Sequence, residues 1–382
     1  IGASAPRPRN ANAGRDVTLW GVLAFAGTSL ISTFTSLSPT ASTWGLGGYY
    51  GGLMLVLFTA AGYWAVRSYL DLENLDFVFW VLGITTSIVA VLYVLNIFNI
   101  DLIGAYADTA VVERAQFFST LGQKDFNGCF FSVALPIVFY QFLNAKDTRT
   151  AVWTGIPAAF GALALAVVDS EALALGMGAA VMVLVCHKNF TTRHLRRAVL
   201  ISAAFFGWAA WMHYMRASVY TQGGTALLAK LGAWQVALPC MAASLLLWLV
   251  LFVLAHKGIA AQAPLYLPGR VITIAVLAVG ALAFVLANAM PNLPLPESLH
   301  NLLVFNDDWG TYRGVAWRAA FGTWADGSLL RKIGGIGPGM MHTAVAAWAG
   351  GAMTARMATF YAAHNEYLEQ LLTTGILGLA AW

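Results

Sequence analysis

The sequence predicts an all-α polytopic membrane protein with about ten transmembrane helices and a large helical extracytoplasmic loop before the last of them. Three observations carry this class. Of the 382 residues 59% are hydrophobic and only 10% charged, with a mean hydropathy of +0.70, whereas roughly 25% of a soluble domain is charged. Apolar runs recur at the roughly 17–25 residues needed to cross a hydrocarbon core. These runs are continuous rather than alternating, which excludes an outer-membrane barrel.

The runs fall at about 17–37, 46–65, 77–98, 127–143, 151–168, 172–187, 198–214, 234–256, 271–288 and 365 to the end. The first follows a basic flank, as a signal peptide would. Its apolar run is longer than an h-region and no small-residue cleavage site follows, so it reads as a retained helix. The fourth to seventh are short and interrupted by Gly or Pro. Residues 1–288 then form a bundle of about nine spans, 289–364 an extracytoplasmic loop with amphipathic helices, and 365–382 the start of a further span. The chain opens on Ile1 and stops at Trp382, about 18 residues into that last run. More helix is therefore expected beyond it.

The net charge of +4 and pI near 9.0 do not point to nucleic acid, because the basic residues are spread between spans rather than gathered on one domain. A cytoplasmic N-terminus bearing Arg7, Arg9 and Arg15 also places Arg67, Lys146, Arg149, Lys188, Arg193, Arg196, Arg197, Lys257 and Arg270 inside. That is twelve of the 21 Lys and Arg, including the cluster HKNFTTRHLRR at 187–197, as the positive-inside rule expects. The other nine lie in three outer loops. Cys129, Cys186 and Cys240 fall in or near apolar runs and read as small hydrophobes, with no disulfide framework or metal cluster.

The outer side carries the long connections, at 99–126, 215–233 and 289–364, and long loops in a compact protein are usually functional or disordered. The last one reads as ordered. It holds Trp309, Trp317, Trp324 and Trp348, and the periodicity of VAWRAAFGTW predicts an amphipathic helix at about 312–325. In GGIGPGMM at 334–341 the glycines permit a tight turn or a close backbone approach. A second helix is expected from about 341 to 360, making the loop a cap of helices over the membrane face.

The stretch AHNEYLEQLLTTGILGL at 363–379 places a His-Asn pair and two carboxylates where this loop re-enters an apolar run, and ionisable residues at such an edge are functional candidates. His364 precedes the helix cap and carries the side chain best suited to take a proton near neutral pH; an ordinary interfacial anchor is the plain alternative. Asn365 reads first as an N-cap and Glu366 as a first-turn carboxylate complementing the helix dipole, ahead of a catalytic role for either. Arg313 and Arg318 are five apart on the loop helix, so one faces a site while the other faces water or headgroups. Arg114 sits just before the fourth span and Arg216 after the seventh. A guanidinium is the natural bidentate clamp for a diphosphate, and headgroup snorkelling is its plain alternative. Asp307-Asp308 reads as a solvated turn in preference to a Mg²⁺ site. Asp169 and Glu171 form either a polar pocket at the outer rim or a short exposed turn. No HExxH or Walker-type spacing occurs, so no metal or cofactor is predicted.

Together these residues resemble the O-antigen ligase and O-antigen polymerase superfamily of bacterial membrane glycosyltransferases. The match is an ordered triple: YRGVAWRAAF at 312–321, GIGPGMM at 335–341 and AHNEYLEQLLTTGILGL at 363–379. A second match is FSTLGQKDFNGCFFSVALPIVF at 118–139, similar to the family's Gly-x-x-x-x-Asn stretch before a Pro-containing span, here Gly122, Asn127 and Pro136. The opening GLGGYYGGLMLVL of the second run is compatible. After the fifth span the family commonly has Ser-Arg, where this chain has Ser170-Glu171.

The resemblance implies transfer of a glycan from a polyprenyl diphosphate carrier, such as undecaprenyl diphosphate, to an acceptor hydroxyl on the outer face of the cytoplasmic membrane. The acceptor would be a glycolipid such as lipopolysaccharide core, a growing glycan, or a protein. His364 would act as the base, Arg313, Arg114 and Arg216 would hold the donor diphosphate, and Asn365, Glu366, Asn127 and Gly337 would support the site, without metal or cofactor. Two other classes stand beside this expectation. A transporter of lipid-linked sugar predicts functional polar residues near the bilayer midplane. A structural subunit of a membrane assembly predicts that the 14 Trp and 37 Gly serve packing.

Overall fold

The computed structural model describes residues 16–45, 50–69, 75–104, 117–168, 170–219, 231–259, 261–290, 293–348 and 361–382. Among the described residues the regular structure is helical, apart from one hairpin of two two-residue strands and a single β-bridge between Thr191 and Pro264. The long helices are α1 (Val17–Phe34), α3 (Leu53–Tyr69), α4 (Leu75–Ile97), α5 (Lys124–Asn144), α6 (Thr148–Val167), α7 (Glu171–Cys186), α8 (Thr192–Val219), α9 (Trp234–His256) and α10 (Tyr266–Ala289). A short α2 (Pro39–Trp44) lies between α1 and α3. Among the described residues seven helices are long and apolar enough to cross a membrane: α1, α4, α5, α6, α8 as far as Met215, α9 and α10. The runs at 46–65 and 172–187 appear as α3 and α7, of 17 and 16 residues. Val271, Ile274 and Val279 on α10 are 66%, 66% and 67% exposed. Exposed apolar surface of this extent fits a solvent of lipid tails, with every backbone bond closed inside the helix.

The chain divides into two compact units, Leu72–Ala278 and the pair Ile1–Asp71 with Val279–Trp382, the division falling within α10. In the first unit α4, α5, α6 and α7 share a core built on Tyr93, Phe131, Leu135, Val138, Leu163 and Leu173. Small residues let the helices approach closely: a Cβ at Gly128 would stand 2.2 Å from the Ser170 hydroxyl of α7's N-cap. The basic cluster has a structural task as well. Arg197 donates to the carbonyls of Phe142, Leu143 and Ala145 at 3.1, 2.9 and 2.7 Å, and Arg193 donates to Ala145. Two cations thus close the carbonyl end of α5, where the helix dipole favours positive charge. Arg270 does the same for α7, bonding the Cys186 carbonyl at 3.0 Å.

In the second unit α1 starts at Asp16, whose carboxylate accepts the Leu19 N–H at 3.0 Å and pairs with Arg67 at the end of α3. After α10 come α11 (Glu297–Leu303), α12 (Trp309–Ala325), α13 (Leu329–Gly334), a helix α14 over 341–348, then α15 (Glu366–Thr373) and α16 (Gly375–Ala381). The helix expected at 312–325 therefore begins earlier, with a first turn bent by Gly310 and Tyr312 at φ +59° and +68°. The helix expected at 341–360 is seen over 341–348, and 349–360 lie outside the described residues. The last apolar run is two short helices rather than one. They break at Gly375, φ +74°, and the Trp382 ring comes to 5.3 Å from that of Tyr367. The three cysteines are free; Cys129 is exposed and the other two half-buried rather than enclosed.

Candidate functional site

The three C-terminal motif segments meet in one buried cluster. α12 contributes Val315, Ala316, Ala319 and Ala320; the glycine loop and α14 contribute Ile336, Met340, Met341, Ala344 and Val345; the third segment contributes Ala363 and Leu372. Indole donors tie the outer parts together. Trp309 bonds the Leu302 carbonyl at 2.9 Å, Trp324 the Lys332 carbonyl at 3.2 Å, and Trp348 the Asp326 carboxylate at 2.8 Å. These are three of the four tryptophans that marked this loop as ordered.

The glycine loop turns its donors inward. The N–H groups of Ile336 and Gly337 reach the Thr373 carbonyl at 3.1 and 2.9 Å, and the Ser32 hydroxyl donates to the same oxygen at 2.5 Å. In a continuous helix that carbonyl would bond four residues on; taken by the loop, it leaves the run free to break at Gly375. Gly337 stands at φ +104°, and a Cβ there would lie 2.5 Å from the hydroxyls of both Ser36 and Ser42. It acts through close backbone approach, holding the end of α15, and its amide is not offered to a phosphate.

His364 is exposed and sits at φ +51°, between the fully buried Ala363 and Asn365. Asn365 caps α15, its side chain accepting the Leu368 N–H at 3.3 Å. The imidazole therefore projects from a turn fixed on both sides, in a backbone region that costs a non-glycine residue about 1 kcal/mol or more. Glu366 is exposed in the first turn and accepts from Gln370 at 3.3 Å. Arg313 is half-buried on α12. Arg318 is exposed and paired with Asp307, while the Asp308 N–H donates to Asn306 at 3.0 Å, so the acidic pair belongs to a turn.

The remaining candidates lie in the other unit or outside the description. Asn127 is fully buried. Its amide donates to the Gln123 carbonyl at 3.0 Å and its oxygen accepts from Ser119 at 2.6 Å, while the Ser119 N–H reaches Asn96 at 2.6 Å. These bonds secure the hairpin β1 (Phe117–Phe118) and β2 (Gly122–Gln123) at the start of α5, a structural task for that residue. Ser170 is buried and donates to Asp125 at 3.2 Å. Arg114 and Asp169 lie outside the described residues, as does the side chain of Arg216.

A group that sequence reading passed over is Glu369. It faces a cleft of about 960 Å³ walled by apolar parts of α1, α3 and α16 and by the polar side of α15. Its Oε2 accepts the Ala363 N–H at 2.8 Å. Protein atoms crowd the carboxyl on most sides while part of its surface opens on the cleft. A carboxyl set among apolar walls at the edge of a cleft is a functional candidate. Tyr361 shares the lining and stacks on His342 at 4.7 Å. The sequence displayed two carboxylates in HNEYLEQ but not that the second turns inward, since that depends on α1 and α3, some 300 residues away in the chain.

Seven helices among the described residues are long and apolar enough to cross a membrane, which fits a multi-pass helical membrane protein. No known protein family, no characterised protein and no solved structure matches the chain.

Proposed function

We propose that this protein is a membrane glycosyltransferase that moves a glycan from a polyprenyl diphosphate carrier to an acceptor hydroxyl, in the manner of an O-antigen ligase, on the outer face of the cytoplasmic membrane. The observation that supports the reading best is the shared cluster formed by the three motif segments, because motifs that act together must be held together. In this reading ten spans and a cytoplasmic N-terminus place the cap outside. The acceptor oxygen attacks the anomeric carbon, the bond from that carbon to the diphosphate oxygen breaks, and the acceptor proton passes to His364. The diphosphate leaves on its carrier, and Arg313 offsets its developing charge. Direct displacement inverts the anomeric centre. A polymerase and a protein O-oligosaccharyltransferase share this chemistry and differ in the acceptor.

The test is transfer by purified protein with polyprenyl-diphosphate-linked glycan and a panel of acceptors, in EDTA, comparing the parent with His364→Ala and Arg313→Ala. Transfer by the parent that both variants lose is the expected result, and the acceptor used names the subclass. Full transfer by folded His364→Ala removes the proposed base.

A further inference from the structure

The cleft beside α15 has a chemistry of its own. Its walls are chiefly apolar side chains and small residues of α1, α3 and α16. Its hydrogen-bonding groups include Glu366, Glu369, Gln370 and the tyrosines Tyr63 and Tyr361. Among the described residues that line it there is no Lys, Arg or His. A volume near 960 Å³ is at the upper end of small-molecule sites. Glu369 is held mostly within protein, yet its Oε1 has no protein hydrogen bond among the described residues, while Oε2 is fixed by Ala363. Oε1 opens on the cleft, where it can accept a hydrogen bond from an occupant.

We propose that this cleft binds an amphiphile with an uncharged, hydroxyl-bearing head, the head hydrogen-bonding Glu369, Glu366 and Gln370 and the apolar chain lying against α1, α3 and α16. Charge decides the class. The described lining offers two carboxyl groups and no cation, which disfavours phosphate and diphosphate heads. A sugar or polyol head donates its hydroxyl hydrogens to Oε1 without bringing a charge of its own. The inference concerns binding alone and stands whether or not the protein transfers glycans.

The probe is a dodecyl β-glucoside carrying a diazirine at the chain end, photolysed with the full-length protein in lipid nanodiscs and mapped by peptide mass spectrometry. Saturable labelling is expected in peptides from 17–25, 51–63 or 361–382. Excess dodecyl glucoside should remove it, and dodecyl phosphate should compete at least tenfold less well. Ala60→Trp, which adds bulk to the cleft wall on α3, should abolish that labelling. Glu369→Leu, which can neither donate nor accept, should weaken glucoside competition several-fold. If Ala60→Trp does not fold, the competition series on the parent still decides the matter. Labelling that does not saturate, or that spreads evenly over α9 and α10, overturns the proposal. So does equal or better competition by dodecyl phosphate or dodecylamine, and so does a cleft shielded from the probe by a second copy of the chain. Retained glucoside binding with no transfer activity would count against the transferase reading only.

Discussion

At the scale of single residues, two side chains five positions apart carry opposite kinds of information. His364 was legible because it precedes a cap, and the structure adds that its backbone is held left-handed. His364→Gly relieves that strain, so it should melt no lower than His364→Ala and be more stable than it by up to about 1 kcal/mol, while losing transfer as fully. Thermal melts in detergent beside the transfer assay check both. Glu369 was visible as a letter but not as a buried acid. Its turn towards the cleft follows from folding alone.

At the scale of elements, boundaries were legible where local chemistry sets them. Asn365, read as an N-cap, caps α15, as a short polar residue does before an apolar run. The break at Gly375 was not legible, because TTGILGL reads as uninterrupted span. It depends on the Thr373 carbonyl being taken by the glycine loop and by Ser32, contacts far apart in sequence. Gly337→Ala should test that clasp: the added Cβ meets two serine hydroxyls at φ +104°, so a loss of about 2–4 kcal/mol is expected, read by melting or by protease sensitivity of the C-terminal segment. The basic cluster at 187–197 was read for topology alone. Its second use, closing the end of α5, predicts that Arg197→Ala costs about 1–3 kcal/mol by stranding carbonyls, whereas Arg197→Lys recovers part of it.

At the scale of the whole molecule, membrane residence follows from helices whose outward faces are apolar. Membranes washed with alkaline carbonate should retain the chain, and release into the soluble fraction would contradict the multi-pass reading. The sequence by itself determined that class and the helical content, because hydrophobic run length and cap residues are local properties written one residue after another. The tertiary structure alone decided which candidates do structural work and which face a cleft. It gave Asn127 and Gly337 backbone partners, moved Glu369 into the foreground, and left the cleft without a cation in its described lining. Burial, hydrogen-bond partnership and charge complementarity are relations between segments that meet only on folding, so no reading along the chain displays them.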